Sequence, residues 1–173
     1  MKQWIAALVA GMILLCGCSG QGSEKPEETA GSTGDETILL AVFAESEDLV
    51  KFRKTADAFT ARYPQVEVKI AEEAAETAGD TILCDAESGA DVFVFAGSEE
   101  ETLFSSGVLL PLNEDLTALL PSSCRKEDEE ELKNRALSAS GYAFAFREDA
   151  LIGVNAKSGN TGWAVLLASD LAR

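Results

Sequence analysis

The chain has 173 residues, 30 of them acidic against 14 basic, with no histidine and a formal charge of −16. So negative a field excludes a nucleic-acid partner, whose phosphates must be neutralised by Lys and Arg, and disfavours adhesion to anionic lipid. Without histidine the commonest metal ligand and general base are missing. Neither Cys84 nor Cys124 belongs to a Cys-x-x-Cys pair, so the sequence points to no metal and no cofactor.

In chain order, Met1-Lys2-Gln3-Trp4 precedes an apolar stretch, Ile5 to Leu15, that ends at Cys16, Gly17 and Cys18. A positive start, an apolar segment shorter than the roughly 20 residues of a bilayer-spanning helix, and small residues at the exit predict a signal peptide over residues 1–17. A plain secretory signal or a short uncleaved anchor has the same periodicity. Leu15-Cys16-Gly17-Cys18 resembles the lipobox of bacterial lipoproteins, which implies that Cys18 becomes a lipidated N-terminus. The chain would then sit on the extracytoplasmic face of the cell membrane, held by its lipid. In that setting Cys84 and Cys124 pair if the fold brings their α-carbons within about 7 Å. Residues 18–36 hold no apolar side chain larger than Ala beyond Cys18 and predict a flexible tether with an end-to-end distance on the order of 20 to 25 Å.

Thr37 to Phe43 is an uncharged, mostly apolar run and predicts a central strand covered on both faces by helices. Ser46 is placed to cap a helix with Glu47 and Asp48 in its first turn, against the positive end of the dipole. Leu49, Phe52, Ala56, Phe59 and Tyr63 then follow at helical spacing, and Pro64 ends the element. Gln65 to Ala71 alternates, with Val66, Val68 and Ile70 on one face and Glu67 and Lys69 on the other, as in a strand with one wet face. A helical stretch from about Glu76 to Glu87 leads to Asp91-Val92-Phe93-Val94-Phe95, a third strand closed by Ala96-Gly97-Ser98 and an acidic helix start at Glu99 to Glu101. This alternation predicts an α/β fold, an open, mostly parallel twisted sheet with helices on both faces.

Val108 to Leu112 reads as a buried turn, because Pro111 denies a ladder its donor. Arg125 to Leu137 is a charged helix. Its acidic run Glu127 to Glu131 lacks the alternating ligands and the Gly of a calcium loop, and is expected to be a solvated face. Tyr142 to Phe146 and Leu151 to Ala156 predict two more strands, and Trp163, Leu166, Leu167 and Leu171 the apolar stripe of a last helix.

Three segments carry a wider resemblance: Phe59-x-x-x-Tyr63-Pro64-x-Val66-x-Val68; Gly89-Ala90-Asp91-Val92-Phe93-Val94-Phe95; and Leu103 followed by Gly107-Val108-Leu109-Leu110-Pro111-Leu112. In this order, from Thr37 to about Leu116, they resemble the extracellular solute-binding lipoproteins of ABC importers, in particular the carbohydrate-binding group. Ala90 stands where that family usually has Pro. The resemblance implies that residues 37–173 form one lobe of a periplasmic-binding-protein-like type II fold, incomplete beside a two-lobed receptor. It also implies capture of a sugar or oligosaccharide and delivery to ABC permease subunits. Residues 141–167 are similar to the family's passage from the first lobe into the second. Ile152 to Asn160 is also similar to a later strand and helix that return to finish the first lobe.

In open parallel sheets ligands sit beyond the carboxyl ends of the strands. Those ends are Glu45-Ser46, Glu72-Glu73 and Ala96-Gly97-Ser98. Glu45 and Glu72 are candidates to accept hydrogen bonds from sugar hydroxyls, Ser46, Ser98 and the amides around Gly97 to donate, and Tyr142 or Trp163 to stack on an apolar sugar face. The structural alternatives are helix caps for Ser46 and Ser98, a surface charge for Glu45 and a core position for Trp163. No G-x-S-x-G elbow, phosphate-binding loop or G-x-G-x-x-G is present, and Glu72 and Glu73 point to opposite faces of an extended chain, so no enzyme activity is expected. The competing non-enzymatic reading is a single-lobe surface module that docks to a protein without binding solute.

Overall fold

The apolar runs and the helical spacing fall where the chain needs them to wrap a sheet. The computed structural model describes residues 37–87, 89–112, 116–136 and 141–173; the predicted signal peptide, Cys18 and the tether lie outside the described residues. The strands are β1 (Ile38–Ala44), β2 (Val66–Glu72), β3 (Val92–Ala96), β4 (Phe144–Ala145) and β5 (Ala150–Val154). The helices are α1 (Leu49–Arg62), α2 (Ala75–Cys84), α3 (Glu100–Ser105), α4 (Lys126–Ala136) and α5 (Thr161–Leu171). They build one mixed α/β unit around an open five-stranded sheet in the order β2-β1-β3-β5-β4. β1 pairs in parallel with β2 and β3, whereas β5 runs antiparallel to both β3 and β4. β5 and α5 lie in the same sheet and core as β1 to β3.

β3 explains its own composition. Val92 and Val94 face one core layer with Leu40, Val42, Phe52, Phe59 and the residues of α5, while Phe93 and Phe95 face the other with Ile82, Leu103 and Leu109. A strand buried on both sides reads as a continuous apolar run. β1 is only half of what its sequence predicts. Leu40, Val42 and Ala44 are buried, but Leu39 is 44% exposed and Ala41 and Phe43 are half-buried. The cause is that α2 packs mainly on β3 and leaves the neighbouring face of β1 partly open.

Three further expectations are corrected. α1 starts at Leu49 and α3 at Glu100, with Asp48 and Glu99 at the cap positions and no side-chain cap bond, so Ser46 and Ser98 do not cap and Glu47 and Asp48 precede the helix. The acidic face of α4 is not wholly solvated: Asp128 is drawn into contact with Arg62 and with the Tyr63 hydroxyl. The last helix has no wet stripe, since every residue from Trp163 to Leu171 is buried. It threads between the sheet, α1, α4 and the turn at Leu116–Leu119.

The motif residues Asp91 and Asn155 fasten the end of the sheet opposite the carboxyl ends of β1 to β3. Asp91 accepts from the Ala41 amide at 2.8 Å and from the Ser158 hydroxyl at 2.5 Å. Asn155 donates to the Ala86 carbonyl at 2.7 Å and the Ala90 carbonyl at 3.1 Å. Val108 to Leu112 is not the expected turn: the turn lies just before it at Ser106 and Gly107, and the largely buried segment meets the sheet through one isolated antiparallel bridge, Leu109 to Asn155. Leu109 lies against Gly153, where an added β-carbon would stand 2.5 Å from the Leu109 side chain and 2.9 Å from the Phe95 ring. Gly153→Ala is therefore expected to cost about 2 kcal/mol by overpacking. An unchanged urea midpoint would contradict this packing.

Candidate functional site

The strand order reverses at β1: the chain leaves it on one side for β2 and comes back on the other for β3. A crevice opens at such a switch point because the two following connections diverge. Here it is a cleft of about 820 Å³, bounded by Glu45–Glu47 after β1, Glu72–Glu76 between β2 and α2, Ala96–Ser98 after β3, and Arg147–Ala150 between β4 and β5. Five of the predicted solute contacts, Glu45, Ser46, Glu72, Gly97 and Ser98, share this cleft.

The aromatic candidates lie elsewhere. Tyr142 stacks on Phe104 with ring centroids 3.8 Å apart, in the layer beneath α3 and away from the cleft lining. Trp163 is 6% exposed. It packs edge-on to Tyr63 at 4.9 Å and Phe59 at 6.4 Å, so its role is core. Among the described residues, no aromatic side chain lines the cleft. The pairing of Cys84 with Cys124 is not formed; both are free thiols. Cys84 is exposed at the end of α2, which packs on one layer, while Cys124 packs against the core on the opposite face of the sheet. Burial, helped by the nearby charges of Asp128 and Glu129, pushes the Cys124 thiol pKa up against a hydrogen bond with Tyr63 that lowers it.

The sequence reading missed Arg147, which organises the site. Its Nη2 donates to Glu45 Oε2 and its Nη1 to Glu47 Oε1, with Asp48 Oδ2 a further 3.3 Å from Nη1. The other oxygen of Glu45 accepts the Ala75 amide at the start of α2 at 3.1 Å. Glu45 thus ties three loops together: its own, the entry to α2 and the β4–β5 turn. Its first role is to hold the cleft's walls rather than to wait for a sugar hydroxyl. The Arg147 hydrogen bond holds the Glu45 carboxyl below its usual range, whereas burial, with the charge of Glu45 beside it, pushes Asp48 up. The β4–β5 turn is also pinned directly to the end of β3, the Gly97 amide donating to the Asp149 carbonyl at 2.9 Å.

Glu45, Glu47 and Asp48 bring carboxylate oxygens within 4.8 Å of one another, a spacing a cation would fit. The guanidinium of Arg147 supplies that positive charge. What the lining presents is carboxylates, loop amides, two serine hydroxyls and one neutralised arginine, a surface suited to hydrogen-bonding a hydroxylated solute. Among the described residues, no helix is long and apolar enough to cross a membrane.

No protein-family model and no curated protein matches the sequence. Solved structures do resemble the fold in part. A maltodextrin-binding protein from L. casei BL23 aligns with 64% of this chain and 29% of its own, at 20% identity and a TM-score of 0.46. An extracellular solute-binding protein from Staphylococcus aureus, in complex with maltose, aligns with 61% of this chain and 27% of its own, at 16% identity and a TM-score of 0.42. A cyclo/maltodextrin-binding protein complexed with maltotetraose aligns with 69% and 29%, at 19% identity and a TM-score of 0.43. The chain spans less than a third of the length of these proteins.

Proposed function

We propose that this chain is the solute-binding part of an extracytoplasmic lipoprotein serving an ABC importer, anchored through Cys18 and contacting a sugar or oligosaccharide in the cleft at the carboxyl ends of β1, β2 and β3. The observation that carries the reading is the convergence of these three strand ends, with the β4–β5 turn, on one cleft at the switch point of the sheet. The ordered motifs from Phe59 to Leu112 supply the family context, and the lining supplies acceptors and donors for hydroxyl groups. Binding without chemistry accords with a sequence that lacks the common nucleophile and phosphate-loop motifs.

Thermal unfolding of the full chain with neutral sugars tests this directly. Maltose and maltotetraose, the ligands named for the similar structures, are the first probes. A receptor gains about 2.7 kcal/mol when free ligand reaches 100 times its dissociation constant. No shift across a panel of mono- and oligosaccharides at millimolar concentration would sink solute capture and leave the protein-docking module as the better reading. Metabolic labelling with a fatty-acid probe tests the anchor separately: the parent chain is expected to be marked and Cys18→Ala unmarked.

A further inference from the structure

Among the described residues one arginine lines the cleft, and its partners point to the charge of the solute. An Arg in a binding cleft ordinarily recruits a carboxylate or phosphate through its planar, paired donors. Both terminal nitrogens of Arg147 are already committed, Nη2 to Glu45 and Nη1 to Glu47, with Asp48 also 3.3 Å from Nη1. Three carboxylates thus surround one guanidinium, and among the described residues the lining holds no basic side chain besides Arg147 to balance Glu72 and Glu73, which border the same cleft. Among the described residues the result is a hollow with acceptors in excess and with its one cation already paired.

We infer that the Glu45–Glu47–Asp48 cluster masks Arg147 so that the cleft admits neutral and cationic hydroxylated solutes and rejects anionic ones. This rests on the solute-binding reading above and adds a charge rule to it. A sugar bearing a carboxylate meets net negative potential and finds its natural partner occupied, whereas a neutral hydroxyl still finds acceptors. The masking carboxylates belong to the turn that precedes α1, so the selectivity is written into a loop rather than into the sheet.

The test is a binding titration of the full chain with neutral oligosaccharides reduced to their alditols, each matched with its own aldonic acid, which shares the open terminal unit and differs by a carboxylate in place of one hydroxymethyl group. The expected result is at least tenfold weaker binding of the acid at low ionic strength, with the gap narrowing at high salt as the charges are screened. In Glu47→Gln/Asp48→Asn, which leaves the Glu45 bridge to the Ala75 amide in place, the gap should shrink at least threefold because Arg147 is partly unmasked. A merely structural role for these residues would weaken both ligands alike and leave their ratio fixed. Equal affinity of the wild-type chain for acid and neutral sugar, or a ratio untouched by the double substitution, overturns the inference while solute capture stands. Failure of every sugar to bind overturns both.

Discussion

Trp163→Ala is expected to lower stability by about 3 to 5 kcal/mol, the usual cost of emptying a large aromatic site in a packed core. Trp163 sits at the start of α5, in contact with Phe59 and Tyr63 of the first helix region, and is 6% exposed. Truncation would leave a cavity lined by two rings that cannot collapse without moving α1. α5 itself cannot move to fill it, because the whole segment from Trp163 to Leu171 is enclosed. Urea unfolding followed by far-UV circular dichroism gives the number: the midpoint falls while the slope with denaturant stays the same. Trp163→Phe keeps one ring in place and should recover more than half of the loss. If Trp163→Ala instead left the midpoint alone and abolished a sugar-induced thermal shift, the residue would face solute and its core assignment would be wrong.

That same residue shows where sequence reading is strong and where it stops. The strands were legible because burial on two faces leaves a chemical mark, as in Val92 to Phe95. The spacing of Phe52, Ala56 and Phe59 marked α1 equally well, and these are its buried residues. The full enclosure of α5 was not legible. Ala164, Ala168 and Ser169 are small enough to sit on either a wet or a dry face, so only the neighbouring elements decide. Half of β1 failed for the converse reason: an apolar run predicts cover, but a short α2 leaning on β3 cannot provide all of it.

The cleft was legible as a place and not as a mechanism. The rule that ligands lie beyond the carboxyl ends of parallel strands picked out Glu45, Ser46, Glu72, Gly97 and Ser98 together. It is silent about antiparallel strands, and β5 enters the sheet reversed, so its leading turn with Arg147 arrives at the same edge unannounced. The aromatic candidates failed on geometry: Tyr142 and Trp163 belong to layers above and below the sheet. Nothing local in the sequence marks Glu45 as the residue that joins three loops, because its partners lie 30 and 102 positions away.

Arg62→Met is expected to cost about 3 kcal/mol, toward the lower end of what breaking a buried ion pair costs. Arg62 lies at the end of α1 and reaches two other helices at once, meeting Asp128 of α4 at 3.0 Å and Asp170 of α5 in a direct hydrogen bond. Both carboxylates are nearly enclosed, with side chains 11% and 10% exposed, so the loss of the guanidinium leaves charge that water does not reach well. Met keeps the apolar stem that lies by the Phe59 and Tyr63 rings, which isolates the charge from the packing. The loss stops short of the full range because each carboxylate keeps a second partner: Asp128 accepts from the Tyr63 hydroxyl, and Asp170 has Arg173 at 3.0 Å. The Tyr63 hydroxyl is correspondingly hard to ionise, its pKa raised first by burial and then by that bond to Asp128. The decisive measurement is a double-mutant cycle. The double variant Arg62→Met/Asp170→Asn should cost in total well under the sum of the two single losses, with a coupling of roughly 1 to 3 kcal/mol, since the second change removes the charge that the first one stranded. Strict additivity in urea midpoints would mean that the Arg62–Asp170 pair contributes nothing to the docking of α1 on α5.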